Sequence, residues 1–259
     1  MITHISRGFR GLLFRQVSAS LLLAMSTFLY GGGAARAEVL VDDFSDTINT
    51  MPFPFRLIQQ TGPGSNSGVP AVETGLTGVI GGSRQTTVSV TAGASTAEAA
   101  IFAGSPGALQ FTNPAGMTSS LSLNYNNNGA GLGANVPLFA GVSIPFGDVA
   151  LGASPNIPVM ATLTDAGANA ATAMALVTTE GAQTLIIPAG AFAGLGALDL
   201  TNIASILLNF GAGSGTEFVL NGPIQILLVP EPLAILGWSV VLVMGLAGWR
   251  YLGPRVRAA

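Results

Sequence analysis

The sequence predicts a mainly β protein: an antiparallel, jelly-roll-like β-sandwich over residues 38–229, with an apolar helical segment at each end of the chain. Short runs of β-favouring residues recur between Gly, Asn and Pro, and several alternate apolar with polar side chains. Only 8% of the 259 residues are charged, against about 25% in ordinary soluble domains. The charges are also unevenly divided, because seven of the nine arginines lie in the two ends.

Residues 1–37 have the pattern of a cleavable secretory signal helix. Three arginines precede an uncharged, largely apolar stretch at 17–30, and small residues follow it. Ala35 and Ala37 form the small-x-small pattern that signal peptidase accepts, so we predict cleavage before Glu38. The alternative is an uncleaved anchor, but the apolar stretch is shorter than the roughly 20 residues that span a membrane.

At the other end, an uncharged stretch at 232–249 predicts a single transmembrane helix over 232–252. Eighteen helical residues rise about 27 Å, just enough for the hydrocarbon core of a bilayer. Arg250, Arg255 and Arg257 follow, and basic residues remain on the cytoplasmic side. The prediction therefore places the C-terminus inside the cell and the preceding domain outside. A buried core helix of a soluble domain is the alternative.

Directly before this helix stands Pro230-Glu231-Pro232. The triplet, the apolar helix and the terminal arginine cluster together resemble the PEP-CTERM sorting signal, here covering 230–259. The resemblance implies a protein of a Gram-negative bacterium that is exported through the inner membrane, briefly anchored, and handled by an exosortase before it reaches the cell surface or extracellular matrix. Two prolines also hold the chain extended, as a protease requires. A linker with chance prolines is the alternative.

Residues 38–229 are expected to hold ten strands. In 121–125 the leucines and Tyr125 should face a core while Ser122 and Asn124 face water. Asn128-Gly129 and Asn221-Gly222 are tight-turn signals. The Ala-rich segments 92–103 and 166–175 are weak helix candidates, and a disordered Gly-rich stalk is the alternative to a sandwich. The expected strands are 39–44, 84–90, 108–112, 119–125, 159–164, 172–179, 184–187, 205–210, 218–220 and 224–228.

Three segments of this region carry a further resemblance: 41–46 (Val-Asp-Asp-Phe-Ser-Asp), 81–84 (Gly-Gly-Ser-Arg) and 199–210. They look like the jelly-roll ectodomains often joined to this sorting signal, which are in turn similar to carbohydrate-binding-module-like sandwiches. The resemblance implies a fold, and fold alone does not assign an activity.

The composition excludes most catalytic chemistry. After signal removal there is no His, Cys or Lys, so a Ser-His-Asp triad, a His- or Cys-ligated metal and a Schiff-base lysine are excluded. We therefore predict a protein that is not an enzyme and has no cofactor. Paired carboxylates, as in glycosidases, are the alternative that remains.

Asp42, Asp43 and Asp46 could supply oxygen ligands to Ca²⁺, which needs six to eight. Their spacing does not match an EF-hand, and the competing interpretation is solvated acids flanking an inward Phe44. No metal site is assigned to them.

Sugar binding by this fold usually uses exposed aromatic rings. The ten phenylalanines of the domain are expected mostly in the core, with Phe53-Pro54-Phe55 the most exposed cluster and 59–70 a flexible loop. Between Glu38 and Trp249 twelve acids face two arginines, a net charge of −10, which disfavours nucleic acid.

The sequence predicts a structural or adhesive surface protein. The alternatives are a carbohydrate-binding module that retains secreted polysaccharide and, last, a carboxylate-dependent glycan hydrolase. The expected partners are signal peptidase, exosortase and, through the C-terminal helix, the membrane, with polysaccharide as a further candidate.

Overall fold

Two antiparallel β-sheets pack face to face in the computed structural model, which describes residues 38–47, 55–68, 71–104 and 107–229. The eight-stranded sheet contains β1 (Glu38–Asp42), β2 (Phe55–Thr61), β6 (Thr96–Phe102), β7 (Ala108–Thr112), β9 (Phe139–Ala150), β12 (Gln183–Pro188), β14 (Glu217–Asn221) and β15 (Ile224–Leu228). The seven-stranded sheet contains β3 (Gly64–Asn66), β4 (Glu73–Thr74), β5 (Ser83–Ala92), β8 (Thr118–Tyr125), β10 (Ile157–Asp165), β11 (Ala170–Val177) and β13 (Ile203–Ala212).

The strand order determines which strands lie at the edges. In the eight-stranded sheet, β9 lies between β12 and the successive strands β14 and β15, and β14 continues through β7 and β6 to β2. In the seven-stranded sheet the order is β11-β10-β13-β8-β5-β3, with β4 beside β5. β1, β2 and β12 are therefore edges of one sheet, and β11 and β3 are edges of the other.

Alternation of side chains builds the core. Leu121, Leu123 and Tyr125 of β8 are fully buried, as are Thr86 and Val88 of the neighbouring β5. The three β8 positions are those that the sequence predicts to face inward, and β5 alternates in the same way because successive residues of a strand point to opposite faces.

An aromatic cluster joins the two sheets across this core. Phe218 of β14 lies 5.2 Å from Phe111, 5.4 Å from Phe210 and 5.8 Å from Phe146, measured between ring centroids. Phe210 belongs to the seven-stranded sheet and the other three to the eight-stranded one. Seven of the nine described phenylalanines are buried, so the expectation that most of them form the core is confirmed.

The antiparallel sandwich is confirmed, with several local corrections. The helix candidate 92–103 holds β6, the candidate 166–175 leads into β11, and the expected loop 59–70 contains the end of β2 and all of β3. β9 was not predicted. Asn221-Gly222 does not form a hairpin turn, since β14 and β15 both continue along β9 with an irregularity between them. A hairpin around Asp165 joins β10 to β11.

Residues Glu38–Val229 form one compact unit. Its first strand pairs with its last, Glu38 opposite Leu227, and the Val229 N–H donates to the Leu138 carbonyl at 2.8 Å. Both ends of the domain therefore leave the sandwich at the same end of the eight-stranded sheet.

Candidate functional site

The predicted sorting and processing residues lie almost entirely outside the described residues. Glu38 is the exception: it begins β1, is exposed, and accepts a 2.6 Å hydrogen bond from Gln225. Among the described residues no helix is long and apolar enough to cross a membrane, and the predicted span 232–252 falls beyond them. The residues outside are Ala35, Ala37, Pro230, Glu231, Pro232, Arg250, Arg255 and Arg257.

A buried ion cluster joins β1 to β5. Arg84 Nη1 lies 3.0 Å from Asp42 Oδ1 and 2.9 Å from Asp42 Oδ2, and Arg84 Nε lies 3.0 Å from Glu73 Oε2. Arg56 Nη1 lies 2.9 Å from the same Glu73 oxygen. The two carboxylates and two guanidinium groups balance in charge, which is the condition under which buried charges are tolerated.

Asp42 is also hydrogen-bonded by neutral donors. The Tyr125 hydroxyl donates to Asp42 Oδ2 at 3.0 Å, and the Phe44 N–H donates to Oδ1 at 2.8 Å. Phe44 adopts a φ of +53°, which is rare for a bulky residue, and its ring centroid lies 5.5 Å from the Arg84 guanidinium carbon. The inward Phe44 is confirmed, but the expectation that Asp42 is solvated is wrong.

The electrostatics follow from this burial. Desolvation raises the pKa of Asp42, while the Arg84 charge and the hydrogen bonds to Asp42 oppose that rise. Burial acts to lower the pKa of Arg84, but the charges of Asp42 and Glu73 outweigh it and raise the pKa. Burial, followed by the Asp42 charge, raises the pKa of Tyr125 well above its ordinary value. The guanidinium therefore stays charged and the phenol stays protonated as a donor.

The remaining two aspartates accept main-chain hydrogen bonds, Asp43 from a local turn and Asp46 from a segment distant in the chain. Asp43 Oδ1 accepts from the Ser45 N–H at 2.9 Å, and Asp46 Oδ2 accepts from the Thr77 N–H at 3.1 Å. Asp42 is committed to Arg84, so the three carboxylates do not converge on one cation. Within the described ranges no group of three or more His, Cys, Asp or Glu side chains could hold a metal.

Asp42 and Glu73 are the two carboxylates that share Arg84, and both are fully buried. A glycoside hydrolase needs two carboxyl groups that flank a substrate bond. This pair cannot reach a glycan, and it stabilises the fold instead.

The outer face of the eight-stranded sheet carries an exposed apolar group at its β2 edge. Phe55 of β2 lies opposite Phe102 of β6, with ring centroids 6.3 Å apart and ring planes at 24°. The exposed fractions are 36% for Phe55, 45% for Phe102 and 44% for Leu57. We call these three residues the aromatic platform. Because all the other described phenylalanines are buried, two stacked exposed rings require an explanation.

Polar side chains continue the same face along β2, β6 and β7. Gln59 lies opposite Glu98 and donates to it at 3.0 Å, and Gln110 lies on β7 opposite Ala100. The two arginines of the described part are both buried, Arg56 at 5% and Arg84 at 0% exposure. The charged side chains around the platform are therefore acidic.

The outer face of the seven-stranded sheet has a different character. The outward positions of β5, β8, β13, β10 and β11 carry no charged residue. Hydroxyl and amide groups cover most of this face, with Ser65 and Ser89 bonded at 2.7 Å and Thr162 and Thr172 at 3.2 Å. Its β10–β11 side also carries exposed apolar side chains, Met160, Met174 and Leu176.

Sequence reasoning missed the platform for identifiable reasons. It assigned Phe55 to an exposed cluster beside a loop and Phe102 to an Ala-rich helix candidate. The β-favouring run 55–61 was the available signal, because its odd residues Phe55, Leu57, Gln59 and Thr61 all face outward. The pairing of this run with β6 carries no signal in a single sequence.

No protein-family model matches the chain, and no curated protein matches it. Among solved structures it is similar to a family 11 carbohydrate-binding module of Clostridium thermocellum in complex with a beta-1,3-1,4-mixed-linked tetrasaccharide, at 16% identity and a TM-score of 0.37, over 76% of this chain and 99% of that one. It is also similar to an exo-beta-agarase at 14% identity and a TM-score of 0.36, over 74% of this chain and 25% of that one. Likenesses this weak carry no argument about function.

Proposed function

We propose that this protein is an exported surface protein whose β-sandwich retains a secreted neutral polysaccharide through the aromatic platform. The observation that carries the proposal is the exposed, stacked pair Phe55 and Phe102. Aromatic rings that remain exposed in a domain with an otherwise buried aromatic set mark an interaction surface. The apolar face of a pyranose ring is a ligand that such rings accept by stacking.

The neighbouring groups supply the polar half of a sugar site. Gln59, Glu98 and Gln110 lie on the same face within the next residues of β2, β6 and β7. Amide and carboxylate groups accept and donate the hydrogen bonds that sugar hydroxyls need. The aromatic platform would stack against the face of the sugar ring, and Gln59, Glu98 and Gln110 would form hydrogen bonds with the hydroxyl groups at its edge.

The charge of the domain favours a neutral polymer. Residues 38–229 contain eleven acids and two arginines, a net charge of −9, and both arginines are buried in the ion cluster. A polyuronate would meet only like charge at this face, which disfavours its approach.

Export and sorting are part of the proposal. A signal peptide at 1–37 and a PEP-CTERM signal at 230–259 would deliver the domain outside and anchor it until exosortase acts. The pairing of Glu38 with Leu227 supports this arrangement, because both processing points would lie at one end of the domain.

A structural or adhesive role without a defined sugar site is the second candidate. The uncharged, hydroxyl-rich outer face of the seven-stranded sheet favours it, since such a face can approach other neutral surfaces without electrostatic repulsion.

The test uses the full chain expressed in a Gram-negative host that has an exosortase. The exported protein is passed over gels containing a neutral β-glucan, a neutral galactan or alginate. We expect retention by at least one neutral gel and none by alginate. Equal retention by all three, or by none, contradicts the proposed binding.

Sorting is tested separately in the same host. Replacing Pro230-Glu231-Pro232 by three alanines should leave the protein unprocessed and cell-associated. Release of this variant at the wild-type level would contradict the sorting proposal. It would not bear on the sugar site, so a failure of the sorting proposal can be distinguished from a failure of the binding proposal.

A further inference from the structure

The outward side of the edge strand β11 forms a second exposed apolar group. Met174 is 67% exposed, Leu176 46%, and Met160 of the neighbouring β10 is 40% exposed. Met160 lies directly opposite Met174, and Pro158 opposite Leu176. We call Met160, Met174 and Leu176 the β11 patch. It lies at the opposite edge of the sandwich from β2 and β3, away from the aromatic platform.

The main chain of β11 is also open along its free side. The Thr172 N–H donates to the Ala193 carbonyl at 3.0 Å, and the Ala193 N–H donates back at 2.9 Å, so the main chain of Thr172 points away from β10. Main-chain direction alternates along a strand. The N–H and C=O groups of Met174 and Leu176 therefore point the same way, beyond the stretch that Ala193 covers. Pro158, which lies opposite Leu176, agrees with this alternation. It has no N–H and so cannot donate to β11, as expected where the Leu176 main chain points away from β10.

Natural edge strands are normally blocked by charges, prolines or bulges because an open edge pairs with other strands. β11 reads Ala-Ala-Thr-Ala-Met-Ala-Leu-Val, without a charge, a proline or a glycine. Because Ala193 already pairs with Thr172, the stretch 173–177 is the part of β11 that can serve as a template for strand addition.

The uncharged face and the symmetry of strand pairing favour a second copy as the partner. The domain carries a net charge of −9, so two copies repel one another over most of their surfaces. The outward positions of the seven-stranded sheet carry no charge, so this side is where like-charged copies can meet. An edge strand is also self-complementary when a two-fold axis pairs it with itself in antiparallel orientation.

We propose that the protein self-associates by pairing β11 with β11 of a second copy, antiparallel and centred on Ala175. In this register Met174 of one copy lies opposite Leu176 of the other, on both sides of the axis. Each such pair exchanges two N–H···O=C bonds, and the outward side chains form one shared apolar patch. The pairing joins two seven-stranded sheets into one and leaves both aromatic platforms free.

Cysteine cross-linking in the full exported chain tests the register. The protein contains no cysteine, so any disulfide comes from introduced residues. Cα atoms of hydrogen-bonded antiparallel pairs are about 5.5 Å apart, within the range of a disulfide. Co-expressed Met174→Cys and Leu176→Cys chains should form a disulfide-linked dimer as the main species under oxidising conditions.

Ile186→Cys is the matched control, because Ile186 is 50% exposed on β12, an edge strand of the other sheet. It should form no disulfide-linked dimer, because the β11 pairing of this variant does not bring its two cysteines together. Cross-linking of the Met174 and Leu176 pair no stronger than that of Ile186→Cys overturns the proposal.

A second measurement removes the main-chain donor. Leu176→Pro deletes an outward N–H and also replaces the Leu176 side chain of the patch, and proline is tolerated at such edge positions. In sedimentation equilibrium of the released protein, we expect the dissociation constant of the dimer to rise at least tenfold for Leu176→Pro and for Met174→Glu. An unchanged dimer overturns the proposal. A monomeric wild type also overturns it. If Leu176→Pro then weakens the binding of that monomer to neutral polysaccharide, a glycan occupies this edge instead.

Discussion

Arg84 and Asp42 form a fully buried ion pair in which one guanidinium nitrogen lies 3.0 and 2.9 Å from the two carboxylate oxygens. The pair joins 81–84 to 41–46, two segments that the sequence singled out separately. It also orients the first strand, because Asp42 ends β1 and accepts from the Phe44 N–H.

Removing Arg84 should strongly destabilise the domain. Arg84→Met leaves the Asp42 and Glu73 carboxylates buried without their shared partner, and breaking a buried pair in this way costs about 3–5 kcal/mol. Urea unfolding measures the effect. Tyr125 is the single Tyr or Trp of residues 38–229, and it contacts Asp42, so its fluorescence reports on the cluster. A loss below about 1 kcal/mol would contradict the structural role of the pair.

Gly107 should tolerate no side chain. A Cβ on this residue would lie 2.0 Å from the Phe44 carbonyl oxygen, which is a main-chain atom. Gly107→Ala must therefore move the segment that carries Phe44, and overpacking of this kind costs about 1–3 kcal/mol. Gly196→Ala is the control, since a Cβ there meets nothing within 4 Å. Equal unfolding midpoints for Gly107→Ala and Gly196→Ala would contradict the close approach of Gly107 to the Phe44 main chain.

Asp165 should make stability depend on acid pH. Hydrogen bonds from the Asp199 N–H and the Asn169 side chain hold the pKa of Asp165 below its ordinary value. Folding therefore favours the ionised form of the Asp165 carboxyl group. This contribution is present above the unfolded pKa of about 4 and is lost as pH falls through the lower folded pKa.

Asp165→Asn should remove that part of the dependence. We expect the variant to be less stable than wild type at pH 7 and the difference to narrow as the pH falls below about 4. Urea midpoints of both proteins at pH 7 and at a series of pH values below about 4 measure this difference. A constant difference at all pH values would mean that the Asp165 carboxylate does not act through its charge.

The sandwich was predictable because its core strands alternate in sequence. β7 and β15 were predicted with the bounds that the structure has, and β5 and β8 to within two residues. In each of these strands the apolar residues recur on one face, and this pattern is local.

Two of the missed strands, β6 and β9, have a local preference that opposes their place in the fold. β6 contains three alanines and Glu98, which favour helix, yet β2 and β7 pair with it on both sides. β9 contains Gly141, Pro145 and Gly147, which interrupt strand patterns. Tertiary pairing outweighs these preferences.

The candidate site was only partly predictable for a related reason. Exposure of Phe55 was expected, but its partner Phe102 comes from a strand 47 positions later that the sequence did not reveal. The same holds for Asp42, whose solvation was expected because Arg84 is distant in the chain. A single sequence shows which residues alternate, and it does not show which strands become neighbours.

The affinity of the platform for a neutral polysaccharide tests the central claim most directly. The measurement is a titration of exported wild type, Phe102→Ala and Leu40→Ala with the neutral β-glucan and the neutral galactan. Leu40 is 40% exposed on β1 of the same sheet, so it matches Phe102 in exposure but lies outside the platform. Losing one stacked ring should remove about 1 kcal/mol, roughly a fivefold loss of affinity. We predict that loss for Phe102→Ala and wild-type affinity for Leu40→Ala. Equal affinities for all three proteins would contradict the proposed site.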